Sequence, residues 1–363
     1  MKILLVGGGS GGSVSPLLAV AEEVKKFHPK AKFLFVGSHM GPEKLMATEA
    51  EIPFLSISAS KLRRYFSWSN FISPLFTLIG FAQSVKILKD FKPDCVFGTG
   101  SFVQVPLVWA AWFLKVPVVL HQQDLQPSLA NTLCQVPAKK ITVSFEDSLT
   151  HFASGLGLFY KKTRSEKLIL TGNPFREELL KATKEQGISL FGLKKDFPTL
   201  LVLGGGTGAA FLNNLIENCL PDLSKTVQII HATGKGKQKS KDKENYHSYE
   251  FISEMGKAYA AADIVLSRAG LSTITELSNF KKLSIIVPMP NSHQEINAFL
   301  LANLKAAIVL SQNELTPQNF TNLIRKLLFE HKLTEKMREN ISKIMPKNSS
   351  KKIAEIIIKL AES

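Results

Sequence analysis

The chain has 363 residues, of which 45% are hydrophobic and 21% charged, and its formal net charge is +15. This length is enough for about two domains, and the composition is typical of a globular protein, which excludes a disordered chain. The charge favours an acidic partner. No nucleic-acid-binding motif accompanies it, so we expect no nucleic acid and favour an anionic membrane surface or a phosphate-bearing substrate.

The cysteines and the first residues predict where the protein works. Cys95, Cys134 and Cys219 lie far apart, which indicates a reduced, cytosolic protein and not a disulfide framework. The N-terminus leads directly into a strand-like segment, so we expect no signal peptide.

Short apolar segments alternate with helix-length segments, such as 16–27 and 104–115, along the first half of the chain. The predicted strands are KILLV (2–6), AKFLFVG (31–37), DCVFGTG (94–100), VPVVLH (116–121) and KKITVSF (139–145). This alternation predicts a parallel sheet with helices on both faces.

A glycine-rich segment, GGGSGGSVSPLLAVAEEV (7–24), follows the first predicted strand. Gly7, Gly9 and Gly12 fit G-x-G-x-x-G, a pattern that lets the backbone approach a phosphate at a helix N-terminus. A tight strand-to-helix turn would use the same glycines and remains an alternative. An NAD site also needs an acidic residue at the end of the second strand, which here ends in Gly37-Ser38-His39, so an oxidoreductase is disfavoured.

The segment KLRRYFSWSNFISPLFTLIGFAQSVKILK (61–89) combines basic and aromatic residues. These are Lys61, Arg63, Arg64, Tyr65, Phe66, Trp68 and Phe71. Its apolar core is shorter than the ~20 residues that span a bilayer and contains Pro74, so we expect no crossing. Docking onto anionic lipid is favoured, and an ordinary core helix is the alternative.

The pattern starts again after residue 197. A strand, glycine loop and helix occupy 198–220, and further strands are predicted in VQIIHATG (227–234), ADIVLSRAG (262–270) and KLSIIVPMP (282–290). We therefore predict an α/β protein of two facing, Rossmann-like, doubly wound domains with a deep cleft between them. The expected boundaries are 1–165, 166–345, and a C-terminal helix 346–363 that packs back on the N-terminal domain.

Several catalytic patterns are absent from the sequence. There is no Asp-x-Asp, no His or Cys pair at ligand spacing, no G-x-S-x-G, and no P-loop lysine after the glycines. The residues thus favour a phosphate- or nucleotide-binding protein with no metal and no cofactor.

Six motifs, in order, resemble the MurG-type N-acetylglucosaminyltransferases of cell-wall synthesis. They are the first glycine loop, VFGTGSFVQVPLVWAAWFLKVPVVLHQQDLQPSLANTL (96–133), TGNPFREELL (171–180), LVLGGGTGAAFLN (201–213), YEFISEMGKAYAAADIVLSRAGLSTITEL (249–277) and VPMPNSHQEINAFLL (287–301). The resemblance implies a GT-B fold and metal-free, inverting transfer from UDP-N-acetylglucosamine to the 4-hydroxyl of a lipid-linked muramyl-peptide. It also implies peripheral attachment at the cytoplasmic face of the cell membrane.

The resemblance places the donor in the C-terminal half. Arg176, Gly205, Gly206, Thr207, Gly208, Leu271, Ser272 and Thr273 would bind the nucleotide and its phosphates; Phe251 and Ile252 would flank uracil; Glu276 would bind ribose; His293 and Gln294 would hold the sugar. A surface ion pair for Glu276 and a loop-capping role for His293 are the alternatives.

The acceptor half is assigned to the first glycine loop and to residues 99–104 and 121–131. The implied acceptor-binding residues are Ser10, Gly11, Gly12, Thr99, Gly100, Phe102, Gln122 and Asn131. The family pattern has His where this chain has Ser13, Tyr at Phe102, and His-Glu-Gln-Asn where it has His121-Gln122-Gln123-Asp124.

These departures bear on the catalytic base. A hydroxyl or an amide cannot act as a base near neutral pH, so of the catalytic positions Ser13, His121 and Asp124 we expect Asp124 to be the base or to orient His121. Capping of the helix in PSLANTL (127–133), or of nearby backbone, is the alternative role of Asp124. Transfer to another lipid, or binding of a nucleotide sugar without transfer, are the alternative functions.

Overall fold

A computed structural model of the protein describes residues 1–59, 69–154, 166–205, 208–238 and 243–363. The chain forms two compact units, Met1–Arg176 with Met345–Ser363, and Glu177–Ile344. The first unit extends through TGNPF to Arg176, whereas the sequence analysis put the boundary at 165 and 166.

The first unit is a seven-stranded parallel sheet in the order β3-β2-β1-β4-β5-β6-β7. Its strands are β1 (Lys2–Val6), β2 (Lys32–Gly37), β3 (Phe54–Ser56), β4 (Cys95–Gly98), β5 (Val118–Gln122), β6 (Lys140–Val143) and β7 (Leu168–Leu170). Its helices are α1 (Gly11–Phe27), α2 (Glu43–Glu49), α3 (Ser69–Phe91), α4 (Gln104–Phe113), α5 (Leu129–Cys134), α6 (Asp147–Ser154) and α14 (Ser349–Ala361). Strands that read as continuous apolar runs, such as β1 and β4, lie buried on both faces, as parallel strands do.

The C-terminal helix α14 belongs to this first unit. Ile353, Ala354 and Ile357 join the core formed by α1 and one face of β1 and β4. The first turn of this helix is held by Ser350, whose Oγ donates to the Phe175 carbonyl at 2.7 Å and accepts from the Phe175 N–H at 2.9 Å.

The second unit is a six-stranded parallel sheet in the order β10-β9-β8-β11-β12-β13. Its strands are β8 (Thr199–Leu203), β9 (Gln228–Ala232), β10 (Tyr246–Tyr249), β11 (Ile264–Ser267), β12 (Leu283–Ile286) and β13 (Ile308–Val309). Its helices are α7 (Lys184–Phe191), α8 (Ala210–Leu223), α9 (Met255–Ala261), α10 (Leu271–Phe280), α11 (Gln294–Asn303), α12 (Pro317–Phe329) and α13 (His331–Ser342), after a short 3-10 helix Glu177–Lys181.

All nine strands predicted from the sequence are present, and the α/β fold class of two doubly wound units is confirmed. The first helix starts earlier than predicted, at Gly11, because the end of the glycine loop already forms its first turn. No helix in the described part of the chain is long and apolar enough to cross a membrane.

Candidate functional site

The predicted site residues cluster at one edge of each sheet. In the first unit the chain passes from β1 outward in both directions, to β2 and to β4; in the second unit β8 has the same position between β9 and β11. The carboxyl ends of such strands form a crevice where open α/β sheets bind ligands. The first glycine loop follows β1, and the second follows β8.

The first glycine loop leads into the N-terminus of α1, whose N-cap Ser10 makes no side-chain cap hydrogen bond. Ser13 Oγ lies 3.0 Å from the Gly8 carbonyl oxygen and 2.9 Å from that of Ser10. Thr99 Oγ1 donates to the Ser13 carbonyl at 2.6 Å, which ties this loop to the end of β4. Ser13 therefore fixes the loop, and the helix N-terminus carries partial positive charge that favours an anion.

Three buried amide side chains connect the neighbouring loops. Gln104 Nε2 donates to Asn131 Oδ1 at 2.7 Å, and Asn131 Nδ2 donates to Gln122 Oε1 at 2.7 Å. Gln122 Nε2 donates to the carbonyls of Asp124 at 2.9 Å and Gln126 at 2.8 Å. Gln122 and Asn131 are buried, and their hydrogen bonds hold the loop 123–128.

His121 is buried among polar side chains of neighbouring segments. The ring is fully buried; Nδ1 lies 2.9 Å from Thr142 Oγ1, and Nε2 lies 3.0 Å from Asn173 Oδ1. Burial lowers the pKa of His121 to about 4, against a weaker raising effect of the Asn173 hydrogen bond. Both ring nitrogens face the interior, so the ring cannot reach an acceptor hydroxyl in this structure and serves to join β5, β6 and the TGNPF segment.

Asp124 occupies a half-buried position in the loop that Gln122 holds. The helix α5 is capped by Ser128, whose Oγ accepts from the Asn131 N–H at 3.1 Å. Asp124 is therefore not the cap of that helix. Nearby, Phe102 packs against the first glycine loop, since a Cβ on Gly9 would lie 3.2 Å from its ring.

A buried carboxylate lies beneath the first glycine loop. Glu43 is fully buried at the start of α2; it accepts from the Gly9 N–H at 3.2 Å, from the Ser38 N–H at 3.0 Å and from the Ser38 hydroxyl. A Cβ on Gly8 or Gly41 would collide with this carboxylate. Glu43 thus fixes the loop and orients the Gly9 N–H inward, away from a ligand.

In the second unit the glycine loop packs directly on the end of β9. Gly208 has φ +71°, and a Cβ there would collide with the Thr233 carbonyl oxygen. Helix α8 follows, and its N-cap Ala209 offers no side-chain cap. Gly205 also has a positive φ, and no described atom lies within 4 Å of the position of its absent Cβ. Gly206 and Thr207 lie outside the described residues.

Helix α10 begins at the end of β11 with Gly270 as an extended N-cap. Its first turn contains Leu271, Ser272 and Thr273, so the backbone N–H groups of that turn point toward the edge of the sheet. One turn further along, Glu276 is half-buried, and its Oε2 accepts from the Tyr259 hydroxyl at 2.7 Å. Glu276 therefore has a buried hydrogen-bond partner in Tyr259.

The loop after β12 is tethered by Arg268. Its Nη1 donates to the carbonyls of Val287 at 3.0 Å and Pro288 at 2.9 Å, and its guanidinium carbon lies 5.9 Å from the centre of the Phe211 ring. Gln294 Oε1 accepts from the Met289 N–H at 3.0 Å. His293 is exposed at the N-cap of α11 and makes no side-chain cap hydrogen bond.

The remaining residues predicted to bind the donor lie in different environments. Phe251 is 74% exposed and Ile252 is buried, both just before α9. Arg176 is the last residue of the first unit, and its Nη1 lies 3.8 Å from Glu22 Oε1. It is thus not part of the group that the second unit brings together.

Comparisons with known proteins agree with this arrangement. Residues 3–143 match the glycosyltransferase family 28 N-terminal domain, and residues 199–356 match the family 28 C-terminal domain. The chain belongs to glycosyltransferase family 28.

Curated relatives of this family 28 chain share one name, UDP-N-acetylglucosamine–N-acetylmuramyl-(pentapeptide) pyrophosphoryl-undecaprenol N-acetylglucosamine transferase. The protein from Clostridium botulinum strain Kyoto is 35% identical over 365 residues, covering 99% of both chains. That from Clostridium kluyveri is 35% identical over 345 residues, covering 93% of this chain and 94% of the relative.

Solved structures show the same fold. MurG from Acinetobacter baumannii has a TM-score of 0.72 at 23% identity, with 99% of each chain covered. The UDP-GlcNAc 2-epimerase from Neisseria meningitidis, bound to UDP-GlcNAc, has a TM-score of 0.69 at 21% identity, with 99% of this chain and 100% of that chain covered. The GT-B fold predicted from the sequence is confirmed.

Four residues of the family 28 chain were missed by the sequence analysis: Glu43, Gln104, Tyr259 and Arg268. Each acts through a contact distant in sequence, for example 34 residues between Gly9 and Glu43. Arg268 carried one signal, because it directly follows a buried strand that ends at the site. In the described ranges, no three His, Cys, Asp or Glu side chains are grouped as metal ligands.

Proposed function

We propose that this family 28 glycosyltransferase moves N-acetylglucosamine from UDP-N-acetylglucosamine to the 4-hydroxyl of undecaprenyl-pyrophosphoryl-N-acetylmuramyl-pentapeptide. The observation that carries the proposal is the near full-length, 35% identity to curated relatives that bear the name of this reaction. The geometry of the two edges is compatible with it, because each presents a glycine loop and a helix N-terminus to an anion.

The donor would bind at the edge of the second unit. The diphosphate would lie over Gly205 and Gly208 and the N-termini of α8 and α10, where helix dipoles stabilise negative charge. Uracil would lie against Phe251 and the backbone of Ile252, and Glu276 would accept from the ribose hydroxyls. Because Gln294 Oε1 is held by the Met289 N–H, its Nε2 would face the sugar, beside His293.

The acceptor would bind at the edge of the first unit. Its diphosphate would meet the N–H groups of Ser10, Gly11 and Gly12 at the start of α1. Its muramyl-peptide would lie toward Gly100 and Phe102. The Glu43 hydrogen bonds would keep this loop in one conformation and so reduce the entropy lost on binding.

The transfer itself needs a base and a stabilised leaving group. The acceptor 4-hydroxyl would attack the anomeric carbon, give its proton to Asp124, and displace UDP from the opposite face. The bond between the anomeric carbon and the phosphate oxygen breaks, and the negative charge that develops on UDP would be stabilised by the helix N-termini of α8 and α10.

The test is release of UDP from UDP-N-acetylglucosamine by the whole protein in detergent with a chelator, with and without a short-chain lipid-linked muramyl-pentapeptide. We expect release that depends on the acceptor. If UDP were released only in the presence of a different lipid, that lipid would replace the muramyl-pentapeptide lipid as the proposed acceptor. If the donor bound but no lipid caused UDP release, the transferase assignment would be overturned. The matched control is the same assay with an equal amount of a diphosphate lipid that lacks the muramyl-peptide.

We further propose peripheral attachment at the cytoplasmic face of the membrane. Part of the predicted docking segment, residues 60–68, lies outside the described residues, as does the side chain of Phe71. The described part of α3 packs against α4, and the two helices expose large apolar side chains. These are Leu75, Phe76, Leu78 and Ile79 on α3, and Trp112 and Phe113 on α4; we name this set the α3–α4 patch.

The α3–α4 patch is continuous across the two helices and has basic neighbours. Phe81 of α3 and Phe113 of α4 have ring centres 6.3 Å apart. Lys86, Lys89 and Lys115 are exposed on or beside these helices. An apolar face with basic neighbours fits a bilayer surface that carries anionic lipid.

A further inference from the structure

The carboxylate of Glu276 is held by a side chain that cannot itself touch a ligand. Tyr259 lies on α9 and is fully buried, and its hydroxyl donates to Glu276 Oε2 at 2.7 Å. This length is typical of a hydroxyl bonded to an ionised carboxylate, a strong class of hydrogen bond. The contact joins two helices, α9 and α10, at the position where the second unit presents Glu276.

The Tyr259 ring is fixed independently of its hydroxyl. It stacks on Phe280 at the end of α10, with ring centres 5.1 Å apart and 19° between the planes. The neighbouring Ala258 and Ala261 are also buried, so this face of α9 is packed against the rest of the unit together with the ring. The packing of the ring therefore directs the hydroxyl toward the carboxylate. A phenylalanine at this position would keep the same ring packing and lose only the hydroxyl.

The hydroxyl also keeps its proton. Burial, the nearby charge of Glu276 and the hydrogen bond to it all raise the pKa of Tyr259 well above its usual value near 10. Tyr259 consequently remains a hydrogen-bond donor to the Glu276 carboxylate.

We propose that Tyr259 is a positioning residue that fixes the Glu276 carboxylate for the ribose hydroxyls of a nucleoside diphosphate and thereby makes the second unit selective for ribonucleotides. The inference rests on the proposed function, since it assigns Glu276 to the ribose. A glutamate side chain that is already ordered loses less rotamer freedom when it binds a ligand, which increases the affinity. Because Glu276 would bind the ribose hydroxyls, this increase in affinity appears only with a nucleotide that has those hydroxyls.

The experiment is titration calorimetry of the whole protein with UDP and with 2′,3′-dideoxy-UDP, for the parent chain and for Tyr259→Phe, Glu276→Ala and the double variant. We expect Tyr259→Phe to weaken UDP about 3- to 10-fold and to change dideoxy-UDP by less than about 2-fold. In the Glu276→Ala background, the same change should have no further effect, because the two residues act as one unit.

Tyr246→Phe is the matched control. Tyr246 is equally buried in the second unit, and its hydroxyl lies 3.0 Å from His231 Nδ1, so its removal tests the general effect of losing a buried hydroxyl. We expect both nucleotides to bind this variant as they bind the parent.

Two results would overturn the inference alone: an equal loss for both nucleotides in Tyr259→Phe, or a loss that adds to that of Glu276→Ala. A parent chain that binds UDP and dideoxy-UDP equally would overturn the assignment of Glu276 to ribose and this inference with it. A parent chain that binds neither nucleotide would overturn the proposed function.

Discussion

Asp124 and Gln122 are two residues apart, and the fold gives them opposite environments. Gln122 ends β5 with its amide buried, whereas Asp124 lies in the loop that this amide holds. Substituting a carboxylate at position 122 would place negative charge beside two carbonyl oxygens that now accept from Gln122 Nε2. In this chain the titratable group of the loop is therefore at position 124.

Asp124→Asn tests the proposed base. We expect kcat to fall by about 100-fold or more, because an amide cannot accept the proton, while the KM for UDP-N-acetylglucosamine stays unchanged. The measurement is steady-state UDP release as a function of pH, in which the acidic limb of the parent profile should disappear. Asp147→Asn, an exposed carboxylate at the start of α6, is the control. Full turnover of Asp124→Asn with the parent's pH profile would exclude the assignment.

The sequence was sufficient to locate the glycine loops but not to assign every side chain beside them. Gly208 and Gly205 can be recognised because glycine at a strand end has few other uses. His121 and Asn131, by contrast, have side chains that could bind a ligand or complete a buried network. Only the packing of β5 against β6 and α5 decides between the two, and a strand period of two does not say which face holds the ligand.

At the scale of elements, buried parallel strands gave the clearest prediction. Strands such as β1 and β8 each contain four consecutive apolar residues, and all nine predicted strands are present. The four strands that were not predicted, β3, β7, β10 and β13, are the edge strands of the two sheets. These strands have two to four residues, too few to show a period.

A second prediction at the scale of elements concerns membrane binding by the α3–α4 patch. Trp112→Glu with Phe113→Glu would place two charges on a surface that we propose lies against lipid, so binding to vesicles with anionic lipid should fall at least 10-fold. The measurement is co-sedimentation, with UDP binding as the test of folding. Phe329→Glu, an exposed aromatic at the end of α12, should bind vesicles as the parent does. Undiminished binding of the double variant would mean that another surface contacts the membrane.

At the scale of the whole molecule, the described part of each unit contains one buried neutral imidazole. His121 in the first unit and His231 in the second have pKa values lowered from 6.5 to about 4, in both cases chiefly by burial. His231 lies between Tyr246 and Asn213, whose amide also donates to the Thr233 carbonyl under the second glycine loop. Both imidazoles therefore take part in buried hydrogen-bond networks while uncharged.

This arrangement predicts acid sensitivity with a defined sign. Between pH 6.5 and about 4 the unfolded chain takes up protons at these histidines and the folded chain does not. The free energy of unfolding therefore falls as the pH is lowered through this range, and the contribution of the two neutral histidines is fully present above pH 6.5. Each histidine should contribute about 2 kcal/mol to the loss at pH 5. The measurement is urea unfolding at pH 7.5 and 5, in which His121→Gln and His231→Gln should each lose less stability than the parent. An equal loss in parent and variants would contradict the prediction.

The position of α14 has a consequence for the order in which this protein can be made. The first unit includes the first residues of the chain, yet Ile353, Ala354 and Ile357 complete its core. During synthesis the second unit therefore leaves the ribosome whole before the first unit can finish folding, and a chain that stops at residue 344 would leave the apolar surface of α1 uncovered. The core of the first unit is therefore completed only after α14 has been translated.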